Sequence, residues 1–523
     1  MAIICNNGII KEWEKNALLN LLINDNIKIT SIINSNIDNN IKLNKNIIFN
    51  LFLKMLNNSK AYIDNNINEI VKDVKYININ KDFNKLNELN IDLVINFSSK
   101  EIGDIINKYT QCKIFTFYFN DENLNQFDLI CYNKIMNYIP EIKVNLTMLE
   151  NDTYKVIKEG IFRLELDKYS VNLDNILFEC AKWLTLIIDY SSFRASSQKF
   201  NFDIIKLEYN QKLGFLNICK FIIQLLYRKI KIFFSPSIQW NIGVIKSPIQ
   251  NLLTDDEFII NWLPSQKEGI FIADPFGVII NNEIYIYYEY YSYKNQKENI
   301  LYIKYNPNLK YPEGKLAIKE NYNMSYPYIF EYENKIYCMP EMANANEISI
   351  YEMKDTDNWL KIKTIINNIK AYDPSIIQYN GYWWLFFTSN KDYFLNLWYS
   401  KDIFGDWTPH KKNPVKINPH SSRPGGTFFI YNGELYRPTQ DGSFSYGSKI
   451  VINKILKLSP DDFEEQEYKT ISPKKNSKYS DGLHTISSVG NFTLVDGLRN
   501  YRSIHWIIER FWRFFLKFLH FYK

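Results

Sequence analysis

Glycine is scarce in residues 1–195 of this 523-residue chain, and neither a GxGxxG nor a P-loop pattern occurs there. That half therefore carries no nucleotide fingerprint. Cysteine is equally sparse. Six residues (Cys5, Cys112, Cys131, Cys180, Cys219 and Cys338) are scattered without CxxC spacing. This excludes a cysteine metal set and predicts free, buried thiols in a reducing cytoplasm. Charge of one sign is lacking too, since the formal net charge is only +5. No whole-protein case for a nucleic-acid partner exists. The N-terminus, MAIICNNGIIKEWEK, has no basic leading region and only a short apolar run. It reads as a first β-strand rather than a signal peptide.

What the chain has is aromatic residues, 16% of the total with 38 Tyr and 35 Phe, and one phrase written five times. The copies are DPFGVIINNEIYIYYEY from Asp274, YPYIFEYENKIYCMPE from Tyr326, DPSIIQYNGYWWLFFTS from Asp373, RPGGTFFIYNGELYRPTQD from Arg423 and a weaker HTISSVGNFTLVDG from His484. Each opens on a polar or Tyr residue, runs through β-branched or aromatic residues, turns, and continues as an alternating aromatic strand. The turn pairs are Asn281-Asn282, Glu333-Asn334, Asn380-Gly381, Asn432-Gly433 and Gly490-Asn491, a hairpin signature. Openings 52, 47, 50 and 61 residues apart predict a five-bladed all-β propeller over 237–498.

In a propeller the innermost strand of every blade lines a central channel. Asp274, Tyr326, Asp373, Arg423 and His484 share one slot, so the fold aims them at one axis. A single Asp-Pro is only a strand-entry turn. Two Asp, an Arg, a His and a Tyr converging predict a polar ligand. The second strands add Glu289, Glu341, Arg437, Gln440, Asp441 and Asp496. Neighbouring buried carboxyls differ in proton affinity, so one can serve as acid while another stays ionised. Such a pair is the minimum equipment for glycosyl transfer or hydrolysis. No metal site or cofactor is predicted, with a central cation near His484 as the alternative. His410 and His420, in Pro-rich loops, read as surface residues, and Trp383-Trp384 as packing between blades.

Residues 1–195 alternate strand-like and helix-like segments, predicting an α/β domain with an open, largely parallel, Rossmann-like sheet. Strands are expected at Ala2–Cys5, Lys28–Ile33, Ile91–Phe97 and Lys113–Phe119, helices at Glu12–Ile23 and Asn175–Ile188, and a hairpin within 143–166. On the strand order and the stretch IFTFYFND, this half resembles a formyltransferase domain. The resemblance implies a catalytic His at the end of that strand. Tyr118 and Phe119 stand there instead, followed by Asn120-Asp121, so a degenerate domain without formyltransferase activity is implied. Residues 196–236 read as a helical connector.

The tail 499–523 is sharper. His505, Glu509, Arg513, Lys517 and His520 form a narrow polar stripe, with Trp506, Ile507, Phe511, Phe514, Phe515, Phe518 and Leu519 on the remaining face. This predicts a basic, amphipathic interfacial helix on an anionic membrane surface, too charged to span it. The expected location is the inner face of the cytoplasmic membrane.

The phrases ADPFG, MSYPYIFE, DPSI, GYWWLF, GDWTPHKKNPV, RPGG, YRPTQD, YG and HT occur in this order. They resemble the N-terminal propeller domain of plant glucosamine inositolphosphorylceramide transferases and its bacterial relatives. More remotely, the chain resembles the five-bladed hydrolases of glycoside hydrolase family 43. That resemblance implies Asp274 as the base, with an orienting Asp in blade two and an acid Glu in blade three. Here Tyr326 fills the blade-two slot and Asp373 the blade-three opening, leaving Glu341 as the acid, so the hydrolase triad is not reproduced. The expected function is a carbohydrate-active enzyme of surface-polysaccharide or glycolipid assembly acting on a glycan or glycolipid. The competing expectation is a non-catalytic glycan-binding scaffold at the membrane.

Overall fold

The computed structural model describes residues 1–35, 59–71, 74–79, 91–110, 112–119, 122–123, 137–166, 168–187, 237–295, 297–308, 314–389 and 393–502, with isolated positions at 131–135, between 219 and 234, and at 511. The chain divides into two compact units, Met1–Phe233 and Phe234–Lys523.

The first unit is built on one sheet. Five strands run parallel in the order Lys75–Asn78, Ser31–Asn34, Ala2–Cys5, Leu93–Asn96 and Lys113–Phe119. An antiparallel hairpin, Glu141–Glu150 with Thr153–Arg163, extends the sheet beside Lys113–Phe119. The central parallel strands are short, largely apolar runs buried on both faces, while the edge strand Lys75–Asn78 is mostly exposed. Among the described residues the α-helices are Glu12–Leu22, Lys100–Tyr109 and Tyr169–Trp183. With its antiparallel hairpin the sheet is mixed and only loosely of Rossmann type. The last helix begins earlier than its apolar spacing announces. Asn172 accepts from the Glu165 amide at 2.9 Å and donates to the Glu165 carbonyl at 2.8 Å, which fixes the chain at the helix entrance. Tyr118 and Phe119 are buried at their strand end. Asn120-Asp121 and most of the 196–236 connector lie outside the described residues.

The second unit is a five-bladed propeller. Blade one comprises Ile270–Ile280, Glu283–Ser292, Lys297–Lys304 and Lys315–Ile318. Blade two runs from Ser325–Tyr332 to Asn358–Asn367, blade three from Ala371–Tyr379 to Thr408–Pro409, and blade four from Phe429–Tyr431 to Phe463–Ile471. Blade five is composite. Ile486–Val489 and Phe492–Tyr501 supply its inner strands, while Ser237–Ile245 and Asn261–Trp262 supply the outer two. The ring closes by this nine-residue antiparallel register, from Ser237↔Tyr501 to Ile245↔Thr493. Residues 499–501 are thus strand, while 503–510 and 512–523 of the expected interfacial helix lie outside the described residues.

The predicted turns carry their sequence in their geometry. Asn281, Asn282, Glu333, Asn334, Asn380, Gly381, Asn432 and Gly433 all have φ between 49° and 78°. Two successive left-handed residues match a two-residue hairpin to the twist of its strands. Aromatic side chains fill the seams between blades. Trp383 meets Phe330 and Tyr332 of blade two at 6.2 and 5.2 Å, and Phe276 of blade one meets Tyr326 of blade two at 4.9 Å. Among the described residues no helix is long and apolar enough to cross a membrane.

Candidate functional site

Asp274, Tyr326 and Asp373 share more than a sequence slot. Each has a left-handed backbone, with φ of 50°, 44° and 50°. Each lies in a register shift of its innermost strand, between Ala273 and Phe276, Ser325 and Tyr328, and Tyr372 and Ser375. For non-glycine residues this conformation costs free energy, and repeating it in three blades re-aims three side chains in the same sense. The second strands add matching positions. Glu289 stands opposite Ala273, Glu341 opposite Ser325, and Thr388 opposite Tyr372. Glu289 and Glu341 are therefore structural equivalents in adjacent blades.

Two polar networks result. In the first, Asp373 Oδ2 accepts from Arg423 Nε at 2.5 Å and from Gln440 Nε2 at 2.5 Å, while Arg423 Nη2 reaches Asp373 Oδ1 at 3.3 Å. The Asp373 amide donates to Glu341 Oε2 at 3.0 Å, and Arg423 Nη2 lies 3.9 Å from that carboxyl. Burial, then the Asp373 charge, pushes the Glu341 carboxyl well above the usual range, and Arg423 only partly offsets this.

In the second network Asp496 is the hub. Its Oδ1 accepts from the amides of His484 (2.9 Å) and Thr485 (3.0 Å), and its Oδ2 accepts from the Asp274 amide at 3.2 Å. His484 Nδ1 lies 2.6 Å from Asp496 Oδ2, an ion-pair contact whose N–H is not aligned for a linear hydrogen bond. His484 Nε2 is 3.5 Å from Asp274 Oδ1, which also accepts from Thr485 Oγ1 at 2.5 Å. Burial alone would favour neutral imidazole, but Asp496 and Asp274 outweigh it and raise the proton affinity of His484. Burial pushes Asp274 up to about 6, against the pull of His484. Glu289, buried and hydrogen-bonded to Asp274, is driven well above its ordinary value by burial and by that neighbour.

Ligating atoms of Asp274, His484 and Asp496 lie within 4.8 Å of one another. Their lone pairs are largely engaged, however. Three backbone amides occupy Asp496, and the two carboxyls raise the proton affinity of the imidazole. Both features work against a cation cage.

The other candidates fall elsewhere. Tyr326 is 0% exposed and its hydroxyl, 3.0 Å from Ser375 Oγ, accepts from the Gly426 amide at 2.7 Å. Arg437 spends its guanidinium on Glu465 (2.9 and 2.6 Å) and on the carbonyls of Ser421 and Ser422. Asp441 accepts from the amide and hydroxyl of Ser443 and faces His420 at 3.5 Å and Lys449 at 3.4 Å. Although burial opposes it, the hydrogen bonds from His420 and Ser443 hold Asp441 down at about 2. Of that strand only Gln440 touches the Asp373 network, because residues alternate faces and Arg437 and Asp441 share the opposite one. His410, expected at the surface, is 2% exposed, its ring 3.1 Å from the Ser459 carbonyl. Sequence reasoning missed Tyr446, Trp240 and Thr485. Trp240 stacks on His484 at 4.0 Å, and Tyr446 meets His484 edge-on at 5.2 Å and lies 5.0 Å from the Arg423 guanidinium. Tyr446 was visible only as the YG phrase, and Trp240 only as part of the strand that opens the unit.

With this geometry in place, sequence comparison is decisive for the propeller alone. Residues 260–486 match the family model "Glucosamine inositolphosphorylceramide transferase 1, N-terminal". The propeller is a relative of that domain. The Oryza sativa (japonica) glucosamine inositolphosphorylceramide transferase 1 is 40% identical over 148 residues, 27% of this chain and 20% of that protein. The Arabidopsis thaliana protein of the same name is 31% identical over 230 residues, 42% of this chain and 30% of its own length. The matched stretch thus spans less than a third of these transferases. Among solved structures, a thermostable family-43 glycoside hydrolase aligns over 42% of this chain and 83% of its own, at 13% identity and a TM-score of 0.32.

Proposed function

We propose that the propeller is a carbohydrate-active enzyme that transfers or hydrolyses a glycosyl group of a glycan or glycolipid. The observation that carries this reading is the sorting of carboxyls by proton affinity within one buried funnel. Burial pushes Asp274 up to about 6, and burial with neighbouring carboxyls pushes Glu289 and Glu341 well above the ordinary range. A protonated Glu341 can deliver a proton to the leaving glycosidic oxygen as the C–O bond breaks. Ionised Asp274 can take the proton of the attacking water or acceptor hydroxyl, or orient it. The Asp373–Arg423–Gln440 network keeps the Glu341 side rigid, and the Asp496–His484 pair does the same for Asp274. The names of the related transferases support glycosyl transfer. The part of the tail beyond residue 502 remains our candidate for peripheral attachment to the inner face of an anionic membrane.

A second reading, a glycan-binding module without turnover, is favoured by how closely Asp373 pairs with Arg423 and Asp496 with His484. A panel of radiolabelled sugar donors and glycoside substrates tests the two, with wild type and Asp274→Asn side by side. As an enzyme, the wild type turns over one of them, with a rate that rises as pH climbs through about 6 and Asp274 loses its proton. Asp274→Asn then abolishes turnover while binding persists. Saccharide binding without turnover, altered by the same substitution, establishes the module instead.

A further inference from the structure

Tyr446 is a large aromatic beside the acid cluster that water still reaches. It is 42% exposed, whereas its neighbours Trp240 and His484 are 2% and 1% exposed. Its hydroxyl end lies in the field of Asp373, Asp274 and Glu289, and burial there pushes its proton affinity well up. The Arg423 guanidinium lies 5.0 Å from its ring, and Trp240 and His484 meet it in T-shaped contacts at 6.3 and 5.2 Å. The ring is thus held beside the acids while part of it stays accessible.

The loop that carries Tyr446 is fixed before any ligand arrives. Asp441 Oδ1 holds Ser443 at its start through the amide (2.9 Å) and hydroxyl (2.6 Å), and the Asp441 carbonyl accepts from the Ser448 hydroxyl at its end (2.8 Å). The Gly442 amide donates to the Pro419 carbonyl at 2.9 Å and the Leu483 amide to the Gly447 carbonyl at 2.9 Å. Gly447 is left-handed (φ 62°), and a Cβ there would stand 2.8 Å from both Trp240 and His484, so only glycine lets the loop press this close. A rigid, partly wet aromatic ring beside protonatable carboxyls is what a sugar ring's C–H face needs. Such a surface loses little freedom on binding. The guanidinium beside it is already engaged by Asp373, so the platform offers an apolar face rather than a free charge.

We propose that Tyr446 is the stacking platform of a subsite for an uncharged pyranose ring beside Asp274 and Glu341, with Asp441 as the residue that positions its loop. The proposal rests on the carbohydrate reading above. It is tested by saturation-transfer NMR and affinity titration of a panel of neutral methyl glycosides and oligosaccharides against wild type, Tyr446→Ala, Tyr446→Phe, Phe444→Ser and Asp274→Asn. Phe444 is on the same loop and 80% exposed, so its variant controls for general loop damage. We expect Tyr446→Ala to weaken binding about tenfold, a stacking loss of the usual size. The sugar's axial C–H signals should fade with it, while Tyr446→Phe and Phe444→Ser stay within about twofold of wild type. If a saccharide binds wild type and Tyr446→Ala equally well, the platform is overturned and the carbohydrate reading stands, whatever Asp274→Asn does. If no saccharide binds wild type, both fall. If Phe444→Ser weakens binding as much as Tyr446→Ala, the loop's shape and not the Tyr446 face is responsible, which also overturns the platform.

Discussion

At the scale of single residues, burial decides what each titratable group can do. His410 shows it away from the funnel. Burial pushes its imidazole down to about 4, against the pull of the Ser459 carbonyl, and its other ring nitrogen accepts from the Lys412 amide at 3.1 Å. The unfolded chain takes up a proton near pH 6.5 that the folded chain refuses until about 4. Stability is therefore lost as pH falls through that window. His410→Gln should lack this loss, so wild type should weaken relative to the variant between pH 7 and 4.5 in urea denaturation. Parallel curves would show that His410 is solvated. None of this was legible in the sequence, where a histidine between Pro409 and Lys411 in a turn-rich stretch has the composition of a surface loop. Asp274 was legible, because its slot recurs in register with Asp373. Tyr446 was not. Its partners Trp240 and Arg423 are 206 and 23 residues away, and loops carry no period that would announce such contacts.

At the scale of elements, strand alternation separates the residues that meet the funnel from those that hold it. The strand Glu434–Asp441 sends Gln440 to Asp373, but Arg437 to the carbonyls of Ser421 and Ser422, immediately before Arg423. Arg437 and Glu465 are 1% and 2% exposed, so each depends on the other for its charge. Replacing Arg437 with Met leaves Glu465 facing only Lys416 at 2.8 Å and frees two carbonyls. We expect a loss of about 3–5 kcal/mol in folding free energy, measured by chemical denaturation. The double variant Arg437→Met with Glu465→Leu should recover much of it. A single-variant cost below about 1 kcal/mol would mean the pair is solvated. Period-two counting along YRPTQD already places Arg437 and Asp441 on the face opposite Gln440. What the sequence lacked was the identity of the loop waiting on that side.

At the scale of the whole molecule, the repeat announced five blades, but not that the fifth is shared between the two ends of the unit. The strand Ser237–Ile245 has no counterpart within the repeats, so its place between Phe492–Tyr501 and Asn261–Trp262 follows only from closure. Residues 237–502, expressed alone, should melt in one cooperative transition, because the unit is compact by itself. Starting the same fragment at residue 246 should remove the closing strand and replace that transition with a broad, low-temperature loss of structure in scanning calorimetry. An unchanged melt would show that closure contributes little. The closing blade also carries His484, Thr485 and Asp496, the residues that hold Asp274 in place. A ribosome making this chain therefore synthesises Asp274 more than two hundred residues before its partners appear. Until they emerge the carboxyl of blade one lacks the imidazole and the hydroxyl that face it in the finished ring. A prematurely terminated chain would carry the funnel without this second polar network, however well its first four blades had formed. The network thus doubles as a mark that the ring has been finished.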